Sequence, residues 1–300
     1  MNALAPDREE LAWLFPNPGA VTATRVNLNA KSVSGASRSS TMSKLGSTVF
    51  RYYSLPSTND LAREMAAAGA AEGVSVLALQ QSEGRGRQGR KWFSPAGEGL
   101  YVSVITRPLI KPSEFSVITL AAAIAVTEVL KEEFGLAAQI KWPNDVLVDG
   151  KKICGILVES AIEGETIQYA VLGIGVNLSQ RGFPADVDQA ATSVFLELGY
   201  DVPLNQALKS ILEKVDYWYQ VSSHPPSEVV ARWEQLSGHS KGTRVHIKSS
   251  DGAIEGITRG LTHTGALLVE LKDGKIREIV AGEVTLLTPL GPSDGPQAER

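Results

Sequence analysis

The chain has 300 residues, 43% of them hydrophobic, enough for about two ordinary domains with a sizeable core. A formal net charge of −4 excludes a chain basic over its whole length, as a general nucleic-acid coat would be. The lone cysteine, Cys154, excludes an internal disulfide and a multi-cysteine metal site, which fits a reducing, cytoplasmic setting, and no histidine has an HExxH neighbour that would suggest a zinc hydrolase.

Residues 1–46 open with a short helical pattern at Glu9–Phe15. The serine-rich run SVSGASRSSTMS follows, with too little apolar surface to order itself, so a disordered N-terminal extension is expected. The basic, serine-rich 21–46 is faintly like a transit peptide, but Asp7, Glu9 and Glu10 come first, and no secretory signal is expected. Met42, just ahead of the first strand signal, is a candidate start.

The first strand is expected at Thr48–Tyr53. Ser57-Thr58-Asn59-Asp60 then leads a helix with Leu61, Met65 and Ala68 on one face. Val74–Gln81 and Leu100–Thr106 read as buried strands. Ser113 is placed to cap a long helix through Val117, Leu120, Ile124 and Leu130, with Gly135 as its stop. Its apolar stretch Val117–Leu130 contains Glu128 and falls short of the roughly 20 residues of a membrane span, so no membrane association is expected. Asp149-Gly150 between two apolar runs signals a tight hairpin. Ala170–Leu178 is a strand interrupted by Gly173 and Gly175, and helices are expected at about 204–220 and Ser227–Leu236. After Gly238 five short strands are punctuated by Asp251-Gly252, Thr264-Gly265 and Asp273-Gly274, the pattern of a small β-barrel. Residues 291–300 are expected to be a disordered tail.

The chemistry concentrates in a few places. GRGRQGRKW (Gly84–Trp92) sets arginines and a lysine on a glycine-rich backbone beside a tryptophan. Bare N–H groups and guanidinium forks suit phosphate or carboxylate, and an indole face suits a base. The pattern is neither a Walker loop nor a dinucleotide fingerprint. A solvated basic loop and an arginine-glycine RNA-binding segment are the competing readings. In KWPNDVLVDGKKICGILVE, Lys141, Asn144 and Asp145 cluster at a strand end, Lys152 follows the hairpin, and Gly155 leaves room beside the backbone. An ordinary hairpin with a turn aspartate is the alternative there. Ser57-Thr58-Asn59 reads as a helix cap, compatible with anion binding at the same helix start. Gly173-Ile174-Gly175-Val176-Asn177 reads as a bulged strand or as backbone approached by a flat ligand. Cys154, Trp142 and Trp233 read as core.

Taken in order, STND, QQSEGRGRQGRKWFSP, GLYVSV, KWPNDVLVDGKKICGILVE and GIGVNL resemble bacterial biotin protein ligase over about Thr48–Leu287. The resemblance implies ATP-dependent attachment of biotin to a lysine of the biotin carboxyl carrier protein of acetyl-CoA carboxylase, through biotinyl-5′-AMP and with Mg²⁺. It implies an α+β fold: a mixed-sheet catalytic domain like class II aminoacyl-tRNA synthetases over 47–238, then an SH3-like barrel over 239–290. Ser57, Thr58, Asn59 and Gln81 would contact biotin. Gly84, Arg85, Gly86 and Arg87 would close over biotin and the phosphates, with Arg87 on the carboxylate or phosphate. Lys152 would hold the carboxylate and α-phosphate, with Gly155 admitting the biotin ring. Trp92, Asn144 and Asn177 would face the nucleotide, and Asp145 would position or deprotonate the acceptor lysine. The family's regulatory branch has an N-terminal winged helix-turn-helix. Residues 1–46 show no two-helix pattern with a recognition helix, so the monofunctional branch without DNA binding is expected. A homodimer is left open. A lipoyl or octanoyl transferase is the first alternative, and a nucleic-acid-binding regulator the second.

Overall fold

The computed structural model describes residues 45–223, 226–249 and 252–287. The pattern at Glu9–Phe15, the serine-rich run, Met42, Asp251 and the tail at 291–300 lie outside the described residues. Leu45 and Gly46, read from sequence as part of the extension, are packed: Leu45 is buried, its N–H donates to Asp216 Oδ1 at 2.9 Å, and Gly46 lies against Leu212.

The elements in chain order are β1 (Thr48–Leu55), α1 (Thr58–Ala67), β2 (Val74–Gln81), β3 (Gly99–Thr106), α2 (Ser116–Glu132), β4 (Ala138–Lys141), β5 (Asp145–Val148), β6 (Lys151–Glu163) and β7 (Thr166–Asn177). Then come α3 (Val194–Leu198), α4 (Leu204–Ser222) and α5 (Ser227–Leu236). The C-terminal part holds β8 (Lys241–Ser249), β9 (Gly252–Leu261), β10 (Leu267–Glu270), β11 (Ile276–Ile279) and β12 (Glu283–Leu286). The first seven strands form one sheet in the order β1-β2-β3-β7-β6-β5-β4. The β1–β2 pair, joined through α1, is parallel and the other neighbours are antiparallel, so the sheet is mixed. The last five form an antiparallel sheet, β11-β10-β9-β8-β12.

Local chemistry explains most boundaries. Asp149 and Gly150 both have positive φ, 47° and 78°, the geometry a two-residue hairpin needs. At the end of α2, Gly135 has φ 67° and the Leu136 N–H reaches back to the Leu130 carbonyl at 2.9 Å, a left-handed C-terminal closure. The start of α2 differs from expectation. Ser113 sits in a separate 3-10 turn, Pro112–Glu114, and caps nothing. The β6–β7 hairpin also runs longer than the sequence pattern suggests, because its outer turns carry exposed polar residues that hide the strand period.

Every side chain of α2 from Leu120 to Leu130 is buried, between the sheet and helices α4 and α5. By length and mean hydropathy (1.6), Pro112–Glu132 is apolar enough to cross a membrane, more so than the sequence count allowed, yet 72% of that window is buried within the protein. The one acid of the buried stretch Leu120–Leu130, Glu128, is held by Lys214, Arg232 and the Trp218 N–H, which offset its desolvation. Cys154, Trp142 and Trp233 are core residues, as expected.

The opposite face carries α1. The expected contact face of Leu61, Met65 and Ala68 is displaced: the buried positions are Thr58, Asn59, Ala62 and Ala66, and Ala68 is exposed. The helix lies close over Val76, Ile105 and Val171, where only small residues fit beneath it, and Leu61 and Met65 flank that contact. The rest of this face, beyond the start of α1, is open.

Candidate active site

A cavity of about 560 Å³ occupies that open region. Its walls are the start of α1, the Gly84–Trp92 segment, the β4–β5 turn, the sheet face of β6 and β7, and β12 of the second sheet. The structure brings almost every residue expected at the site to this one cavity. Gly84 is the exception: it lies behind the wall, where a Cβ would come within 2.6 Å of Ser94 Oγ and 2.8 Å of the Trp92 carbonyl. Gly86 lines the cavity but has no such crowding.

At the start of α1 the groups are fixed by hydrogen bonds. Gln81 Oε1 accepts from the Thr58 N–H at 2.8 Å and from the Thr58 hydroxyl at 3.1 Å. The Ser103 hydroxyl donates to Asn59 Oδ1 at 2.6 Å and lies 2.8 Å from Thr58 Oγ1. Asn59 Nδ2 donates to Glu159 Oε2 at 2.7 Å. Gly173 makes this possible, because a Cβ there would stand 2.2 Å from Asn59 Oδ1. Ser57 occupies the N-cap position with extended φ −152°, but its hydroxyl makes no cap bond. The cap expected from sequence is replaced by Gln81, and the Ser57 side chain lines the cavity.

Gly84–Trp92 folds into a short ribbon. The Gly86 N–H donates to the Arg90 carbonyl at 2.7 Å and the Trp92 N–H to the Gly84 carbonyl at 2.8 Å. At its tip Gln88 and Gly89 take φ 57° and 72°. Arg90 anchors it to the second sheet through Glu283, at 2.7 Å. Arg85 turns to Asp60 and Glu159. The Arg87 side chain makes no hydrogen bond or ion pair with a described residue, and burial pushes its pKa down, Asp145 opposing and Arg90 adding to the shift. A cation held without a counterion favours an anionic guest.

The flat group facing the glycines of β6 and β7 comes from the chain itself. Cβ atoms at Gly155 and Gly175 would fall 3.0 and 2.6 Å from the Trp92 indole. Gly155 and Gly175 are register partners, so they open one shallow bay for the ring. No bulge interrupts β7 there; the β6–β7 irregularity lies at Ala161/Ile162. Lys152 Nζ stands 5.3 Å from the Trp92 ring centroid and 2.6 Å from Asp145 Oδ1. Lys141 lies in the same wall, its pKa lowered first by burial, with Asp145 opposing and Lys152 reinforcing.

Two asparagines serve the framework as well as the wall. Asn144 Nδ2 donates to the Ile156 carbonyl at 2.7 Å, and the Ile156 N–H returns to the Asn144 carbonyl at 3.0 Å, closing the β4–β5 turn against β6. Asn177 Nδ2 donates to the Thr192 carbonyl at 2.9 Å, and its Oδ1 accepts from Gln180 at 3.3 Å. Sequence reasoning missed Asp60, Ser103, Glu159 and Glu283. The first three sit within or beside quoted motifs, but nothing local marks them as partners. Glu283 arrives from the second sheet and has no local signal at all.

A mixed sheet whose glycine bay seats Trp92, roofed by a cationic ribbon and flanked by a second antiparallel sheet, frames a cavity whose cationic wall suits an anionic small molecule. Residues 52–177 match the Biotin/lipoate A/B protein ligase family, and 242–287 match the Biotin protein ligase C terminal domain. The Bifunctional ligase/repressor BirA of Bacillus subtilis is 34% identical over 235 residues, covering 77% of this chain and 72% of that protein. The biotin–[acetyl-CoA-carboxylase] ligase of Paracoccus denitrificans is 33% identical over 215 residues, covering 70% and 88%. The Aquifex aeolicus biotin protein ligase, solved with biotin and ATP, aligns with TM-score 0.68 and 28% identity over 80% of this chain and 98% of that one. The chain belongs to the biotin protein ligase family.

Proposed function

We propose that the chain uses ATP to attach biotin to one lysine of the biotin carboxyl carrier protein of acetyl-CoA carboxylase, through biotinyl-5′-adenylate. The observation that carries this reading is the meeting of Arg87, Lys141 and Lys152 around one cavity in a net-acidic chain. Step one presses two anions together. A biotin carboxylate oxygen bonds to the α-phosphorus and pyrophosphate leaves. The attacking group is already ionised, so the demand on the protein is cationic stabilisation and orientation. Lys152 and Arg87 supply the charge, Ser57, Thr58, Asn59 and Gln81 orient the ring end, and Gly86, without a side chain, leaves room beside the guest. Trp92 packs across Gly155, and the wall residues Asn144 and Asn177 stand toward the nucleotide. In step two the acceptor amine bonds to the biotin carbonyl carbon and AMP leaves. Asp145, with one oxygen on Lys152, has its second oxygen to orient that amine or take its proton.

Mg²⁺ would neutralise phosphate charge when bound with ATP. Asp145 and Glu283 are the carboxylates lining the cavity, and no cluster of three or more His, Cys, Asp or Glu occurs among the described residues. That donor set suits an ion held mainly by phosphates and water, as Mg²⁺ commonly is.

In this reading 47–238 is the catalytic domain, related to class II aminoacyl-tRNA synthetases, and 239–290 an SH3-like barrel that closes the nucleotide end. On this reading the ligation reaction takes place in the cytoplasm. The test is mass spectrometry of a purified carrier domain after incubation with biotin, Mg-ATP and this protein. A biotin-sized mass gain at one lysine supports the reading. No gain, or a gain with lipoate or an octanoyl donor in place of biotin, overturns it.

A further inference from the structure

Among the cations of Gly84–Trp92, Arg85 is the one whose charge is most fully answered inside the protein. Its Nη1 and Nη2 donate to the two oxygens of Asp60 at 2.5 and 2.7 Å, a bidentate fork. Nη2 also reaches both oxygens of Glu159 at 3.2 Å. Asp60 is on α1 and Glu159 on β6, and neither lines the cavity. Glu159 Oε2 in turn accepts the Asn59 amide, and Arg63 adds a second cation to Asp60 at 2.9 Å. Arg87, two residues along the same ribbon, has no such partner.

We propose that Arg85 is a positioning residue: with Asp60 and Glu159 it forms a clasp that holds the Gly84–Trp92 ribbon over the cavity and, through Glu159, sets the Asn59 amide. The clasp ties together three segments far apart in sequence. A glycine-rich ribbon has much conformational freedom to lose, so a fixed fork near its start restrains it strongly. The ribbon's other anchor, Arg90 to Glu283, is a single contact at the far side. The Arg85 hydrogen bond also holds the Asp60 carboxyl below its ordinary range, in keeping with the pairing. The clasp is a feature of the unliganded chain; only its consequence for biotin rests on the ligase reading.

A double-mutant cycle decides between clasp and ligand contact. Asp60→Ala, Arg85→Ala and the double variant are compared by two readouts. The first is trypsin cleavage within 87–91 of the folded, unliganded protein. The second is the biotin dissociation rate followed by tryptophan fluorescence. Each single variant should speed both by about tenfold, and the double should be no faster than either single, because both residues act through one contact. Arg85→Lys should restore only part of the protection, having charge without the fork. Wild-type behaviour in Asp60→Ala beside a defect in Arg85→Ala, or additive effects in the double, would overturn the clasp. If the Ala variants do not fold, Asp60→Asn and Arg85→Lys carry the same comparison. A wild-type protein that binds no biotin would refute the ligase reading, while the trypsin series would still decide the clasp.

Discussion

Replacing Gly173 by alanine should disable the biotin end of the cavity without touching a cation. The added Cβ would stand 2.2 Å from Asn59 Oδ1 and 2.9 Å from its Cγ, well inside contact distance. Asn59 is buried at the start of α1, so its amide must swing away. That breaks the 2.6 Å bond from Ser103 and the 2.7 Å bond to Glu159. A neutral hydrogen bond contributes about 1 kcal/mol and one to a charged group about 1.5–3, so the loss is about 3 kcal/mol when the partners stay buried. For a domain of this size the melting temperature should fall by about 6–12 °C. Misplacing the amide by about 1 Å should lower kcat/KM for biotin by about 100-fold. Gly182→Ala is the control, since a Cβ there meets nothing within 4 Å. The measurements are thermal melts and biotin-dependent pyrophosphate exchange at varied biotin. A Gly173→Ala protein indistinguishable from the control in both would refute the packing argument and remove Asn59 from the biotin site.

Lys152→Ala should reduce pyrophosphate exchange by about 100- to 1000-fold, the scale for losing one preorganised donor at a developing charge; normal exchange would take Lys152 out of the chemistry. Arg87→Glu inverts charge in the cavity wall and should slow carrier biotinylation while releasing adenylate to solution, measured by chromatography of the reaction mixture. Deletion of residues 1–44 should leave melting and ligation unchanged, whereas deletion through residue 46 should destabilise by about 2–5 kcal/mol, because it removes buried Leu45 and its bond to Asp216; equal melts would contradict that packing. Acid should weaken the fold through Asp60. Its pKa lies below the usual 3.8, so its contribution is present above the unfolded value and lost as pH falls through the folded one. Asp60→Asn should therefore show a flatter decline in melting temperature between about pH 5 and pH 2 than wild type.

Much of this was legible in the chain because it was local. Val74–Gln81 and Ser227–Leu236 were bounded to the residue by apolar periodicity and flanking breakers. Asp149-Gly150 announced its hairpin because few residue pairs accept two consecutive positive φ angles. The GRGRQGRKW and KWPND motifs marked where cations gather, since the clustering is visible in the chain itself. What sequence could not tell was which partner each polar group meets. The face of α1 followed the small residues that fit over Val76 and Ile105, not the larger apolar ones, because helix–sheet distance is set by tertiary packing. The Ser57 cap gave way to Gln81 from β2, and the flat group over Gly155 and Gly175 proved to be Trp92. Periodicity, turn chemistry and charge density reside within a few neighbouring residues, so the chain alone determines them. The pairing of Arg85 with Asp60 and Glu159, and the release of Arg87 from any such pairing, depend on distances across the sheet that exist only once it has formed.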